Sequence, residues 1–303
     1  MTTWGDLSEA QKQAVVHDFL ASGRDYAIIE RHGLQRTATI ERRIREIAQH
    51  WVRLTPDATI PVSETPDYTQ EVLRVYGDAV VIGDVEIPDH DASIIELAAR
   101  VGKRAGIETL IINGDLIASD GLSKHLCGAA SPRLKVQEEL RQARQVIQAL
   151  QHTFPDVYVV SGNHDKRARW QTSGQFTADF LLGDLPNVTT TPFSRLYLTS
   201  GGVDWMVCHP RQYRKAPGSL ARDIAETEDI NVVVAHTHLL SWSLTKDGRH
   251  VAIDGGHCRD AKRTMYKTED VTTHPRWCAG LTVVRDGFGF ALSKEYTDWR
   301  CWQ

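Results

Sequence analysis

Between residues 79 and 160 three short apolar runs, at 79–82, 110–112 and 157–160, alternate with stretches of helical periodicity at 92–104 and 133–152. Runs of that length flanked by helices read as strands, and strand-helix-strand alternation commits this part of the chain to an α/β layer. Further strand candidates at 196–199, 203–208, 231–235, 239–244, 251–253 and 281–284 follow with less helix between them. They predict an extension into a second, partly antiparallel sheet.

The first 53 residues carry helical signals only. Ser8 can cap a helix bearing Ala14, Val15, Phe19 and Leu20, which Gly23 stops. Asp25 opens a short helix with Ala27, Ile28 and Ile29, the run His32-Gly33-Leu34 makes a turn, and a third helix begins near Thr37 with Ile40, Ile44 and Ile47 on one face. Helix, short helix, glycine turn, helix is the helix-turn-helix plan. Residues 54–76, with Pro56, Pro61 and Pro66 among Thr, Ser, Asp and Glu, read as a linker or covering arm. The expected units are therefore 1–53, 54–76 and 77–303.

Thirty-five basic against 39 acidic side chains give a net charge of −4, which excludes a globally basic nucleic-acid coat but not a local basic face. Such a face exists: Arg36, Arg42, Arg43, Arg45 and Arg53 against Glu41 and Glu46 leave a local +3. A third helix with Thr37, Thr39, Arg42 and Arg43 near its start suits a DNA major groove, while dimerisation or docking is the competing role. The N-terminus lacks a basic segment followed by an apolar one, and no window approaches 18 apolar residues, so neither a signal peptide nor a membrane partner is expected. Cys127, Cys208, Cys258, Cys278 and Cys301 are odd in number and form no C-x-x-C pair, which fits a reducing cytoplasm.

Five segments at the expected strand ends finish in metal-ligand types: Gly83-Asp84-Val85-Glu86, Asn113-Gly114-Asp115, Gly162-Asn163-His164-Asp165, Cys208-His209-Pro210 and Ala235-His236-Thr237-His238. In an extended strand residues i and i+2 point the same way, so Asp84 with Glu86, and His236 with His238, would each present two ligands to one place. A mixture of carboxylate, amide oxygen and imidazole without thiolate suits Mn²⁺, Fe or Zn²⁺ in a working site more than a structural zinc.

In these five blocks, taken in order, residues 77–290 resemble the calcineurin-like metallophosphoesterases. A looser tail, from Gly255-Gly256 through Tyr266 to Pro275-Arg276-Trp277 and Gly280, resembles phage- and prophage-encoded members. The resemblance implies an α/β four-layer fold, two packed mixed sheets flanked by helices, and a dinuclear centre. It assigns Asp84, the residue at 86, Asp115 and His238 to one ion, and Asp115 as a bridge with Asn163, His209 and His236 to the other. Two such ions activate water near neutral pH for attack at phosphorus. His164 would stabilise the transition state or protonate the leaving oxygen, with Asp165 orienting it.

The family pattern has histidine at position 86, where this chain has Glu86, so the first site gains a formal negative charge and favours hard ions such as Mn²⁺ or Mg²⁺. Restoring histidine there is expected to keep two ions and shift preference to softer cations. The competing expectation is that Glu86 has cost one ion, with His90 as a compensating donor. Lys166, Arg167 and Arg169, and Arg211, Arg214 and Lys215, follow the motifs and would rim the site. Arg167 and Arg211 are the expected substrate contacts. His257 and Cys258 read as structural, and His125 carries no assignment.

The activity expected is phosphodiester hydrolysis, as a nuclease or nucleotide phosphodiesterase in a bacterial cytoplasm or, phage-encoded, in a host's. The alternatives are a phosphomonoesterase acting on nucleotides or phosphoproteins, and a DNA-binding regulator on a weakened phosphoesterase scaffold. Oligomeric state is not legible.

Overall fold

The computed structural model describes residues 3–23, 25–54, 72–122, 136–171, 182, 184–263 and 277–299. The chain divides into two units, Met1–Pro66 and Asp67–Gln303.

In the first unit the Ser8 Oγ accepts from the Gln11 N–H while the Gln11 side chain accepts from the Ser8 N–H, a reciprocal cap that starts α1 (Glu9–Ala21). A single-turn helix, α2 (Ile28–Arg31), follows, with Asp25 accepting from the Ala27 N–H just before it. α3 (Ala38–Leu54) begins where Thr37 Oγ1 accepts from the Ile40 N–H. Val15, Val16 and Phe19 of α1 close on Ile28, Ile29, Ile40, Ile44 and Ala48, a separate small core under three helices. His32, in the turn, lies 2.9 Å from Asp18 of α1.

The second unit contains β1 (Arg74–Tyr76), β2 (Ala79–Ile82), α4 (Ala92–Ala105), β3 (Thr109–Asn113), α5 (Val136–Leu150), β4 (Asp156–Val160), α6 (Asp165–Gln171), β5 (Val188–Thr191), β6 (Arg195–Ser200), β7 (Val203–Cys208), α7 (Ser219–Glu228), β8 (Asn231–Val234), β9 (Leu240–Leu244), β10 (Val251–Gly255), β11 (Gly280–Arg285) and β12 (Phe288–Ser293). They form two six-stranded sheets, ordered β12-β11-β2-β3-β4-β5 and β1-β6-β7-β8-β10-β9. In the first, β2 through β5 are parallel and β11 and β12 add antiparallel at one edge.

The period-2 geometry of strands explains the layering. Val80 and Ile82 face one way, into a core with Ile94, Leu97 and Val101 of α4 and Ile147 of α5. Ala79 and Val81 face the other way and meet Leu198, Trp205, Val233 and Ile253 of the second sheet. On that sheet's far face Met206, Val232 and Val234 pack on Leu220, Ala221 and Ala225 of α7. The order helix, sheet, sheet, helix is the four-layer α/β arrangement expected from the sequence.

One boundary differs, and two strands were not expected. Residues 74–76, assigned to the arm, are strand β1, an edge strand pairing with β6, so the second unit starts before residue 77. β5 is Val-Thr-Thr-Thr, too polar to stand out as a strand. β12 points Phe288 and Phe290 outward, 68% and 52% exposed, so its pattern is the inverse of a half-buried strand. The rest of the arm (55–71), His125, residues 133–135 of the expected helix and the tail at 264–276 lie outside the described residues.

Candidate metal centre

The candidate ligands gather where β2, β3, β4, β7 and β8 end. β2 stops at Ile82 and β8 at Val234, so Asp84, Glu86, His236 and His238 are loop residues rather than strand residues. Their common aim has another cause than strand alternation: Asp84, Glu86, Asp115, His236 and His238 all sit at left-handed φ, +48°, +48°, +51°, +78° and +58°. Such conformations cost on the order of 1–3 kcal/mol each in non-glycine residues and persist where the surroundings over-determine them. Here the surroundings are bonds between loops. The Asp84 N–H donates to Gly114 O (3.1 Å), the Glu86 N–H to Asp115 O (2.8 Å), and the His236 N–H to Asp84 Oδ2 (2.8 Å). Close approach also requires Gly114 and Gly162, since a Cβ at either would overlap the His209 ring or the Asp115 carboxylate respectively.

Two groups of ligand atoms result, each within 4.8 Å: Asp84, Glu86 and His238, and Asp115, His209 and His236. His238 Nε2 lies 3.3 Å from Asp84 Oδ1 and 3.2 Å from Glu86 Oε1. His209 Nε2 lies 3.3 Å from Asp115 Oδ2 and 3.1 Å from Asn163 Oδ1, while its Nδ1 donates to Asn113 O (2.9 Å). A third group, Glu86, Asp115 and His164, links the other two through Glu86 and Asp115. The donor set fits divalent cations: three buried carboxylates converge, and Asp84 Oδ1, fully buried, accepts no hydrogen bond among the described residues.

Electrostatics carry the same message. Burial disfavours a charged His209, yet the facing Asp115 carboxylate pushes its pKa up to about 10. For His238, burial is likewise outweighed by Asp84 and Glu86, to about 9. Burial, and then the neighbouring His209 charge, lower His236. Without an ion, protons on two imidazoles therefore stand in for cations. An ion must displace them, so its affinity should climb with pH toward about 9 and flatten above about 10, where both histidines are neutral beforehand. Calorimetric titration of chelated protein with Mn²⁺ at pH 7.5, in buffers of different ionisation enthalpy, should register release of up to two protons; heats independent of buffer would show that these imidazoles are not displaced.

His164 Nδ1 donates to Ala118 O (2.8 Å), which leaves Nε2 as an acceptor, 2.9 Å from Arg167 Nη2. Its main-chain N–H donates to Asp115 Oδ1 (2.8 Å). Asp165 does not orient His164. Its carboxylate accepts instead from the N–H groups of Asp115 (2.8 Å), Gly162 (2.9 Å) and Ile117 (3.2 Å), clamping the loops after β3 and β4 together. Burial and the negative Asp115 raise Asp165 to about 6.

A cavity of about 230 Å³ opens on the site, lined by Glu86, Asp115, His164, Tyr213, His236, Thr237, His238 and Trp277. Arg167 reaches its edge through His164, but Arg211 is exposed and does not line it. Lys166 bonds the Ser194 hydroxyl, Arg169 is exposed, and Arg214 pairs with Asp223 at 3.1 Å. His90 belongs to none of the ligand groups among the described residues.

Sequence reasoning missed Tyr213 and Trp277 as walls and, above all, Arg259. This arginine is 5% exposed, donates from Nη1 to Glu86 Oε2 and from Nη2 to Asp89 Oδ2 (2.9 Å), and so offsets the charge that Glu86 adds. Burial works against ionisation of Glu86, but the Arg259 guanidinium holds its pKa down at about 2. The only available signal was indirect, since a buried glutamate in place of a histidine calls for a cation somewhere. His257, read as structural, is buried with its ring centroid 5.4 Å from that of His238.

A family model described as calcineurin-like phosphoesterase matches residues 78–267. Among solved structures the chain is similar to Vps29 of Chaetomium thermophilum, at 13% identity over 68% of this chain and 83% of that one, with a TM-score of 0.39. It is also similar to YfcE, a phosphoesterase from E. coli (13% identity, 68% and 87% covered, TM-score 0.38), and to vacuolar protein sorting 29 of Cryptosporidium parvum (18%, 72% and 96%, 0.39). No curated protein sequence matches the chain significantly.

Proposed function

The chain belongs to the calcineurin-like phosphoesterase family, a hydrolase acting on phosphate esters, and within it we propose a phosphodiesterase of nucleotides or nucleic acids that uses two divalent ions, Mn²⁺ foremost. The observation that carries this reading is the floor of the cavity, where Asp84, Glu86 and His238 on one side and Asp115, His209 and His236 on the other share one small space with His164. When bound, the ions supply a water acidic enough to attack phosphorus near neutral pH and offset charge on the phosphate. Asp115 spaces the two ligand groups, and Asn163 adds an amide oxygen beside His209. The oxygen-rich set favours Mn²⁺. Tyr213 and Trp277 give the cavity aromatic faces for the organic groups on either side of a diester phosphate.

His164 starts with Nδ1 bonded to Ala118 O and Nε2 engaged by Arg167. A phosphate arriving in the cavity offers Arg167 a better acceptor and frees Nε2, which beside the anionic phosphate can take up a proton from water and pass it to the leaving oxygen. The test is a panel of a phosphate monoester, a diester, cyclic nucleotides and single- and double-stranded DNA, run on chelated protein with each metal added back. Diester turnover restored best by Mn²⁺ is expected. Full activity in chelated protein would end the metal reading, and a clear preference for the monoester would move the enzyme to the phosphomonoesterases.

The N-terminal unit supports a second component, delivery to DNA. Thr39, Arg42 and Arg43 are exposed on the first turns of α3, and Arg43 makes no ion pair among the described residues. Arg42 lies 3.8 Å from Glu46, and Thr37 is committed to the helix cap. Each phosphate contact contributes about 0.9 to the slope of log affinity against log salt, so Arg43→Ala should flatten that slope by about one unit. Identical slopes for wild type, Arg42→Ala and Arg43→Ala would make α3 a docking or dimerisation surface.

A further inference from the structure

Glu86 presents two oxygens to two different partners. Oε1 faces the site, 3.2 Å from His238 Nε2, and Oε2 is taken by Arg259 Nη1. Arg259 itself cannot move freely: it is buried, and its second nitrogen is anchored 2.9 Å from Asp89, whose carboxylate is partly open to water. Its main chain is held as well, by the bridge between residues 90 and 259 and by the Cys258 N–H, which donates to Gly83 O (3.0 Å) at the base of the Asp84 loop. The guanidinium is thus fixed to the same backbone that carries Asp84 and Glu86.

We propose that Arg259 is a positioning residue that makes Glu86 a single-oxygen, charge-offset donor, so that the Glu86–Arg259 pair does the work of one neutral imidazole at the first ion site. The pairing leaves one lone-pair-bearing oxygen for an ion and prevents both oxygens from wrapping it. It also removes most of the excess negative charge that a glutamate alone would bring, which leaves an ion there more electron-poor than three free carboxylates would. Because the cation is built in, position 86 and position 259 form one unit: an imidazole at 86 would leave Arg259 as a buried cation facing the ion with one of its two carboxylates gone. This reverses the expectation from sequence that Glu86→His keeps both ions.

The inference rests on the divalent-ion reading above, and the experiment separates the two. Ion content by elemental analysis, and Mn²⁺ and Zn²⁺ affinities by calorimetry, are compared for wild type, Glu86→His, Arg259→Met and the double variant, with folding checked by circular dichroism. A residue that orients and charge-balances a metal ligand is worth about 10–100-fold in metal affinity, so Arg259→Met, and Glu86→His with Arg259 left unbalanced, should each weaken one ion by about that range while leaving the other in place. The double variant should recover to within about threefold of wild type, because the pair is removed and replaced together. Should Arg259→Met alone not fold, the double variant set against Glu86→His alone provides the second reading, since only the role proposed for Arg259 makes the double variant bind the first ion more tightly than Glu86→His does. Two ions bound as in wild type by Glu86→His, or losses that simply add in the double variant, would overturn the role of Arg259 while the metal centre stands. Wild-type protein that binds no divalent ion would overturn both.

Discussion

Asp115→Asn should lower kcat on a model diester such as bis(4-nitrophenyl) phosphate by at least about 10³-fold, the scale on which loss of one preorganised electrostatic group is felt. The substitution is chosen to keep shape. The amide oxygen can still accept from the His164 N–H, now 2.8 Å from Asp115 Oδ1, and the main-chain N–H of residue 115 stays bonded to Asp165. The carboxylate charge alone disappears, from a side chain that, like Glu86, belongs to two of the ligand groups. Ion content should fall with activity, by at least one ion, since a neutral amide cannot hold two cations together against their repulsion. Retention of both ions with kcat within about tenfold of wild type would remove Asp115 from its place between them.

That Asp84, Glu86, Asp115, His209, His236 and His238 come together was legible in the sequence because they are local: each sits one to four residues past an apolar run, and five such endings in order leave few folds to choose from. The physical reason inferred for their aim was different from the one the structure reveals. Asp84/Glu86 and His236/His238 share a direction through left-handed backbone held by loop-to-loop hydrogen bonds, not through strand alternation. Asp165 was misassigned for a related reason. An acid beside a histidine in sequence suggests a pair, yet at the start of α6 its carboxylate turns back onto three main-chain N–H groups. Arg259 had no sequence signal of its own: it meets Glu86 across 173 residues, and no periodicity spans that distance. The four-layer order was readable from β2, β3 and β4, whose alternating faces are both apolar, whereas β5 and β12 were not, because threonines and outward phenylalanines break the pattern on which reading depends.

Removing the His164 imidazole should cost about 10²–10⁴-fold in kcat, the span of general acid catalysis, with ion content unchanged. The structure makes that separation sharp. What holds Asp115 Oδ1 is the main-chain N–H of residue 164, which survives in His164→Ala, so this carboxylate keeps its place while the ring is lost. The ring is 3.8 Å from both Glu86 Oε2 and Asp115 Oδ2, outside direct bonding to either, and its Nδ1 is spent on Ala118 O. Only Nε2 remains to act, and the leaving group decides how. If Nε2 delivers a proton to the departing oxygen, the deficit of His164→Ala should be large for a nucleoside or alkyl leaving group and shrink by at least tenfold for 4-nitrophenolate, which departs without protonation. An equal deficit for both would make the ring a stabiliser of charge on phosphorus, working with Arg167, and a loss of ions in His164→Ala would reassign it as a ligand.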